Sequence, residues 1–228
     1  MRKINGSGLQ ANTLKSLLKS TYDRSQVEGW TRVMNTPEVS AFEHPSGQVV
    51  VALRGTQGTA KDWSNNLVYG IGGETAYKQT PRYKRAKERV AELEKKYNPE
   101  DITLVPHSQS GLIAELLPTK AREIISLNSA SRPQDMFNMK KKKNLYRIRA
   151  KFDPVSMFNI SNPEYTINDK NLNPLRQHSL DILEGQKVYG DAKYANGLRH
   201  AKRAGSITVR SFNNLKENQF VQEVKPMF

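Results

Sequence analysis

The chain has 228 residues, enough for a single α/β domain, residues 1–228, with a sizeable buried core. It contains no cysteine and only four histidines, so disulfides and thiolate metal sites are excluded, and we expect no metal or other cofactor. The formal net charge of +14 favours anionic partners such as nucleic acid, an acidic membrane surface or an acidic protein.

The pattern of apolar residues predicts alternating helices and strands. Helical spacing predicts helices at residues 9–22, 59–70, 80–97 and 110–118. Short apolar runs predict a hairpin over residues 38–55, with its turn at 44–47, and further strands at 101–105, 123–129 and 144–152. Strands that alternate with helices indicate a mostly parallel central sheet flanked by helices. Residues 184–228 are a basic C-terminal part for which the sequence predicts no clear element.

The stretch VPHSQSG, residues 105–111, joins a predicted strand to a predicted helix and carries His107 and Ser108. A phosphate-binding loop needs a glycine-rich run followed by Lys and then Ser or Thr, which this stretch lacks. A nucleophile elbow needs a strand, a serine in a tight turn between small residues, and then a helix; here Ser110 and Gly111 follow Ser108 at the helix start. An ordinary helix start is the alternative that this motif alone leaves open.

Several segments together resemble the class 3 lipase family of α/β hydrolases, in the family's own order. In that family a strand ends in Arg-Gly-Ser/Thr before a helix with Asp-Trp, as in VVVALRGTQGTAKDW, and an Asp-Pro-Val ends a later strand, as in RAKFDPV. The family serine lies in Gly-His-Ser-Leu-Gly-Gly, and this sequence differs there at Pro106, Gln109 and Ser110. The resemblance covers roughly residues 49–183. It implies an α/β-hydrolase fold and a serine hydrolase of carboxylic esters, lipase- or phospholipase-like.

The resemblance also implies a Ser-His-Asp triad that forms a covalent acyl-enzyme. Ser108 is the implied nucleophile and Asp153 the implied acid, which orients a histidine that acts as general base and then as general acid. A helix-capping residue before Pro154 is the alternative for Asp153. The implied oxyanion hole consists of the backbone N–H of Gln109 and the N–H or hydroxyl of Thr56. A residue that simply ends a strand is the alternative for Thr56.

The histidine of the triad is not fixed by any spacing in the sequence. His107 adjoins the nucleophile and is expected to be structural, and His44 precedes the elbow, outside the Ser, Asp, His chain order of this fold. His178 follows Asp153 and opens an apolar helical pattern, whereas His200 lies among cations in RHAKR. We favour His178 as the base, with His200 as the alternative.

The lid and the charge predict the substrate and the partners. In the family the segment after Thr56 forms or borders a lid, which here contains Trp63, and a core tryptophan is the alternative. Residues 140–151, KKKKNLYRIRAK, hold seven basic residues and no acidic one, which predicts a cationic patch for an anionic membrane surface or nucleic acid. The expected substrate is an ester or a lipid. The alternative function is a non-catalytic basic binding protein on a hydrolase scaffold, for nucleic acid or virion assembly.

Nothing in the sequence predicts export or insertion into a membrane. The N-terminal residues have no apolar core of a signal peptide, and no window approaches the roughly 18 apolar residues of a membrane span. We therefore expect a cytoplasmic or virion-associated protein.

Overall fold

A seven-stranded, mostly parallel sheet forms the centre of the described part of the chain. The structure, a computed structural model, describes residues 9–55, 73–130, 144–157 and 165–184. Each strand pairs with its neighbour in the sequence; β1 to β3 are antiparallel to one another, and β3 to β7 are parallel. The strands are β1 (Thr31–Asn35), β2 (Val39–Glu43), β3 (Val49–Leu53), β4 (Ile102–Pro106), β5 (Glu123–Leu127), β6 (Leu145–Ala150) and β7 (Tyr165–Ile167).

Helices in the described ranges begin and end at recognisable signals. The Thr80 hydroxyl accepts from the N–H of Tyr83, and Pro81 occupies the first turn, which together favour a helix start. The first helix ends where Arg24 adopts a left-handed conformation with a φ of 59°. The helices are α1 (Ala11–Asp23), α2 (Gly73–Gln79), α3 (Pro81–Lys96), α4 (Ser110–Leu116) and α5 (Pro174–His178), with 3-10 helices at Pro99–Asp101 and Leu180–Leu183.

Alternate residues of each strand point to opposite faces of the sheet. Helices cover both faces, because the central strands carry apolar residues on both. On one face, Val49 and Val51 of β3 pack in a buried cluster with apolar residues of α3 and α4. On the other face, Val50 and Ala52 pack with apolar residues of α1 and of the 3-10 helix Leu180–Leu183. Strands that are apolar on both faces are typical of the central layer of an α/β fold. The predicted α/β class, with a mostly parallel sheet and flanking helices, is therefore confirmed.

The carboxyl ends of the parallel strands bring distant parts of the sequence together. Leu53 pairs with Pro106 between β3 and β4, and Leu127 pairs with Ile148 between β5 and β6. Residues that directly follow paired strand ends lie near one another at this edge of the sheet. The segments that meet there begin at Arg54, His107, Asn128 and Lys151.

The predicted elements agree with the structure over most of the described ranges, but two strands and the helices α2 and α5 are additions. Neither β1 nor β7 has the buried apolar run on which the strand predictions depend: β1 is exposed or half-buried throughout, and β7 has three residues. Each lies at an edge of the sheet that the described residues form, where it pairs with one of the other described strands. The helix predicted at residues 59–70 lies outside the described residues.

Candidate active site

Ser108 lies on the tight turn between β4 and α4 in a left-handed backbone conformation. Its φ is 59°, a region that costs a residue with a side chain on the order of 1–3 kcal/mol. Its N–H donates to the carbonyl of Leu127 at 3.0 Å, and its carbonyl accepts from the N–H groups of Gly111 and Ala130 at 3.0 Å. These bonds hold the strained turn between the ends of two neighbouring strands.

Ser110 closes the same turn from inside. Its hydroxyl oxygen accepts from the N–H of His107 at 2.9 Å and lies 2.6 Å from the carbonyl oxygen of Leu53, to which it donates. Pro106 ends β4, opposite Leu53 in the sheet. Proline has no backbone N–H, so no donor of Pro106 needs a partner at this strand end. The class 3 lipase family has a glycine at the position of Ser110. Here the Ser110 hydroxyl therefore links the turn at Ser108 to the end of β3 by a hydrogen bond.

Two glycines allow neighbouring segments to approach the turn. A Cβ atom on Gly111 would lie 1.9 Å from Ser129 Oγ and 2.5 Å from Ser129 Cβ. A Cβ atom on Gly55 would lie 2.9 Å from Ser108 Cβ and 3.0 Å from the hydroxyl oxygen of Tyr22. Because neither glycine carries a side chain, α4 packs directly on the segment after β5, and the segment after β3 contacts the turn at Ser108.

Ser108, His178 and Asp153 form a continuous hydrogen-bonded chain. Ser108 Oγ lies 2.8 Å from His178 Nε2, and His178 Nδ1 lies 2.8 Å from Asp153 Oδ1. Because an ionised carboxylate only accepts, Nδ1 carries a proton, and Nε2 of the neutral ring presents its lone pair to the serine hydroxyl. This tautomer is the one that a general base requires. The structure thus brings together the three residues predicted from the sequence.

Asp153 lies just beyond β6 in a turn that satisfies both of its carboxylate oxygens. Oδ1 accepts from the N–H of Val155 at 3.1 Å, and Oδ2 accepts from the N–H of Ser156 at 3.0 Å and from its hydroxyl at 2.5 Å. The carboxylate is fully buried, and a buried charge needs such partners to offset its lost hydration. Asp153 therefore caps a turn, where the alternative expected a helix start, and it bonds to His178 at the same time.

Ser108 is the solvent-accessible member of the hydrogen-bonded chain from Ser108 through His178 to Asp153. Asp153 and His178 are buried, whereas Ser108 is partly exposed. Burial strengthens the bond between His178 and Asp153, because water does not compete for the same donors and acceptors. An electrophilic carbonyl can approach Ser108 while the imidazole takes up the hydroxyl proton.

Gln109, the residue after Ser108, is held from α2 and α3. Its side-chain oxygen accepts from Arg82 Nη1 at 3.0 Å, and its carbonyl accepts from the hydroxyl of Tyr77 at 3.5 Å. A second guanidinium nitrogen of Arg82 donates to the carbonyl of Arg54, just after β3. Arg82 therefore joins two segments that the sequence predicts to flank the oxyanion. The second predicted donor, Thr56, lies outside the described residues.

The remaining histidines have different surroundings. The buried ring of His107 bonds through Nδ1 to the hydroxyl of Tyr22 at 3.0 Å and through Nε2 to the carbonyl oxygen of His178 at 3.1 Å. His44 lies in the turn of the β2–β3 hairpin, as predicted. His200 and the lid residue Trp63 lie outside the described residues. One expectation was wrong in detail, because His178 is the last residue of α5 and does not open a helix.

The cationic patch predicted over residues 140–151 is smaller than the sequence indicates. Arg147 is only 4% exposed and forms an ion pair with Glu115 at 2.9 Å. It lies on β6 and pairs there with a residue of α4, and a count of basic residues takes no account of such a contact. Arg149 and Lys151 retain exposure, and residues 140–143 lie outside the described ranges.

Sequence reasoning missed three residues that support the site: Tyr22, Arg82 and Ser156. Ser156 follows Asp153 by three residues, a spacing typical of turns in which an Asp side chain accepts from nearby N–H groups, so a local signal was present. No local signal exists for Tyr22, which precedes His107 by 85 residues.

Within the described ranges, no helix is both long enough and apolar enough to cross a membrane.

Comparison with known proteins shows no family for this sequence. The sequence matches no protein-family model, and no curated protein is significantly similar to it. The case for a function therefore rests on the geometry around Ser108, His178 and Asp153.

Proposed function

We propose that the protein is a serine hydrolase of the α/β-hydrolase type that cleaves carboxylic esters. The observation that carries the proposal is the chain from Ser108 through His178 to Asp153, with both hydrogen bonds at 2.8 Å. It stands at the carboxyl edge of a mostly parallel sheet, where the active sites of open α/β folds lie. The nucleophile on a strand-to-helix turn, followed in the chain by the acid and then the histidine, is the arrangement of the α/β-hydrolase fold.

The geometry supports acyl transfer in two steps. Ser108 Oγ attacks the ester carbonyl carbon as its proton passes to His178 Nε2, and the Asp153 carboxylate stabilises the resulting imidazolium. The tetrahedral intermediate collapses as His178 gives the proton to the leaving alkoxide, which departs as the alcohol and leaves the acyl group on Ser108. A water molecule, deprotonated by the same imidazole, then releases the carboxylic acid and restores Ser108. The N–H of Gln109 is the proposed donor to the oxyanion in both steps.

Exposed apolar side chains support a lipid as the substrate. The large hydrophobic residues that are most exposed in the described ranges lie on two segments, one around Asp153 and one before His178. Because both segments adjoin residues of the hydrogen-bonded chain from Ser108 to Asp153, the exposed apolar side chains on them are available to an apolar part of the substrate. We therefore propose lipase- or phospholipase-like activity, on an ester with an acyl chain. These residues are Phe152, Met157, Leu172 and Leu175.

A non-catalytic basic binding protein on the same scaffold is the competing function. It gives no role to the bond between Ser108 and His178 or to the left-handed conformation of Ser108. The patch on which it depends also loses Arg147 to a buried ion pair. The hydrolase accounts for more of the described contacts, and the labelling experiment below separates the two.

A fluorophosphonate probe tests the proposal, because it reacts with a serine whose hydroxyl is activated by a neighbouring base. We expect the probe to label the wild-type protein at Ser108, as located by mass spectrometry of its peptides. Ser108→Ala and His178→Ala should abolish labelling and lower kcat for a short-chain ester by several orders of magnitude, since the members of a triad act as a unit.

Two changes in the β2–β3 hairpin serve as matched controls for these variants. Ser46→Ala and His44→Ala remove the same chemical groups at a turn away from the site, so labelling and turnover should remain at the wild-type level. Circular dichroism spectra of all four variants would show that the fold is retained. Labelling that persists in Ser108→Ala, or a wild-type protein that the probe does not label, would contradict the proposed function and favour the binding protein.

A further inference from the structure

His107 is a buried histidine whose two ring nitrogens are both bonded, yet the proposed reaction assigns it no step. The residue is only 7% exposed. Nδ1 lies 3.0 Å from the hydroxyl oxygen of Tyr22, at the end of α1, and Nε2 lies 3.1 Å from the backbone carbonyl oxygen of His178. One side chain therefore joins the N-terminal helix, the nucleophile turn and the segment that carries the base.

The partners of His107 determine where its proton lies. A carbonyl oxygen only accepts, so Nε2 must carry the hydrogen that bonds to His178. In a neutral imidazole Nδ1 is then an acceptor, and the hydroxyl of Tyr22 must donate to it. That hydroxyl oxygen in turn accepts from the N–H of Gly55 at 2.9 Å. The direction of every bond is thus set from both ends, by a backbone N–H at one end and a backbone carbonyl at the other.

The surroundings of His107 keep the ring neutral. Burial, together with the neighbouring ring of His178, lowers the pKa of His107 from its usual 6.5 to about 4. The centroids of the two imidazole rings lie 5.4 Å apart, so a charge on His107 would repel the imidazolium that forms on His178 during the reaction. A neutral ring donates through Nε2 without opposing that charge.

We propose that His107 is a positioning residue that holds the backbone of His178, with Tyr22 fixing the tautomer that makes this possible. The inference rests on the proposed function. Because His107 adjoins Ser108 in the chain, its bond to the His178 carbonyl sets the base relative to the nucleophile from the backbone side. The bond between Asn128 Nδ2 and the carbonyl of Gln177 at 2.8 Å is a second anchor for the same segment. Loss of His107 should therefore displace the base without releasing it.

The first test compares His107→Met with His107→Gln. Methionine fills the space without donating, whereas the amide of glutamine offers an N–H near the position of Nε2. We expect His107→Met to lower kcat for a soluble ester by about tenfold to a hundredfold, with KM within about twofold, because a small displacement of a catalytic group has an effect of this size. His107→Gln should restore most of the loss. His44→Met, the same change in the hairpin turn, should keep the wild-type kcat.

A second test uses Tyr22→Phe and does not depend on the His107 variants being folded. Without the hydroxyl, the Nδ1–H tautomer becomes available to His107, and a lone pair on Nε2 would then face the carbonyl oxygen of His178. NMR chemical shifts of the imidazole nitrogens should show the Nε2–H tautomer for His107 in the wild type, with the Nδ1–H form appearing in Tyr22→Phe. We expect kcat to fall in the same range as for His107→Met.

The outcomes separate this inference from the proposed function. A wild-type kcat in folded His107→Met or in Tyr22→Phe, or an Nδ1–H tautomer of His107 in the wild type, would overturn the positioning role. A wild-type protein that neither reacts with the fluorophosphonate nor hydrolyses esters would overturn the proposed function, and the positioning role with it. The tautomer remains measurable in that case, so an Nε2–H proton on His107 would still verify the hydrogen-bond chain while assigning it a purely structural role.

Discussion

At the scale of single residues, the strained backbone of Ser108 is held by its neighbours. A residue with a side chain leaves the left-handed region unless its surroundings over-determine it. Bonds to Leu127 and Ala130 fix Ser108 from the side of β5, and the absence of a side chain on Gly55 allows close contact from the side of β3. As a result, the Ser108 hydroxyl lies within hydrogen-bond distance of His178.

The buried ring of His107 predicts how the free energy of unfolding depends on pH. Its pKa is about 4 in the folded protein, against 6.5 for an exposed histidine, so the unfolded chain binds the proton first as the pH falls. The contribution of His107 is therefore fully present above about pH 6.5 and is lost progressively between about pH 6.5 and 4. The loss amounts to on the order of 3 kcal/mol. Tyr22, His178 and Asp153 are the titratable groups that face this ring.

Urea unfolding at several pH values measures this effect. The free energy of unfolding of His107→Gln should decrease less than that of the wild type over the window from about pH 6.5 to 4, since glutamine does not titrate. Identical pH dependence in wild type and His107→Gln would mean that His107 does not titrate with a lowered pKa.

At the scale of elements, α3 joins the turn at Ser108 to the segment after β3 through one arginine. Arg82 donates to the side chain of Gln109 at 3.0 Å and to the carbonyl of Arg54. We expect Arg82→Met to lower kcat by on the order of tenfold, because Gln109 then loses an anchor and its N–H points less accurately at the oxyanion. Arg82→Lys should not restore the activity, since an ammonium lacks the planar fork that reaches both acceptors. Steady-state kinetics with a soluble ester would measure both effects.

A second arginine on the same helix is the control for this prediction. Arg89 is exposed and pairs with Glu92 within α3, at 2.9 Å, so Arg89→Met changes the charge and the helix in the same way without touching the turn. Its kcat should equal that of the wild type. If Arg82→Met also turns over substrate at the wild-type rate while folded, the anchor is not needed for catalysis.

Elements with a strong local signal were predictable from the sequence. The buried residues of α3 (Tyr83, Ala86, Val90 and Leu93) recur at helical spacing, and every residue of β3, β4 and β5 is buried, which a short apolar run indicates. The edge strands β1 and β7 were not predictable, because their place in the sheet depends on pairing with neighbours and not on their own pattern.

The candidate site was predictable only as far as its chemistry is local. Ser108 and Asp153 belong to short motifs, and chain order then restricted the base to His178 or His200. Tyr22 and Arg82 contact the site across 85 and 27 residues of sequence, respectively, and nothing near either residue indicates those contacts. Side chains that hold a site from another element become visible only in the fold.

At the scale of the whole molecule, positive charge and exposed apolar side chains both favour contact with an anionic lipid surface. The net charge is +14, and each Lys or Arg near an acidic bilayer contributes on the order of 1 kcal/mol. Charge attracts the protein over about a Debye length, which salt shortens. On such a surface, the exposed side chains of Leu172 and Leu175, 64% and 57% exposed, would supply an apolar contact that salt does not screen. A surface contact of this kind therefore has a salt-sensitive part and a salt-insensitive part.

The last prediction concerns the salt-sensitive part. We expect the protein to bind vesicles that contain anionic lipid, with an affinity that falls steeply as salt is raised, in a sedimentation assay. Replacing the four lysines at 140–143 by glutamine should remove most of this binding and leave turnover of a soluble short-chain ester unchanged. Glutamine at Lys84, Lys87, Lys95 and Lys96, four exposed positions on α3, makes the same change in net charge elsewhere. Equal losses in both variants would assign the binding to total charge, and a wild-type protein that ignores anionic vesicles at low salt would contradict the membrane role.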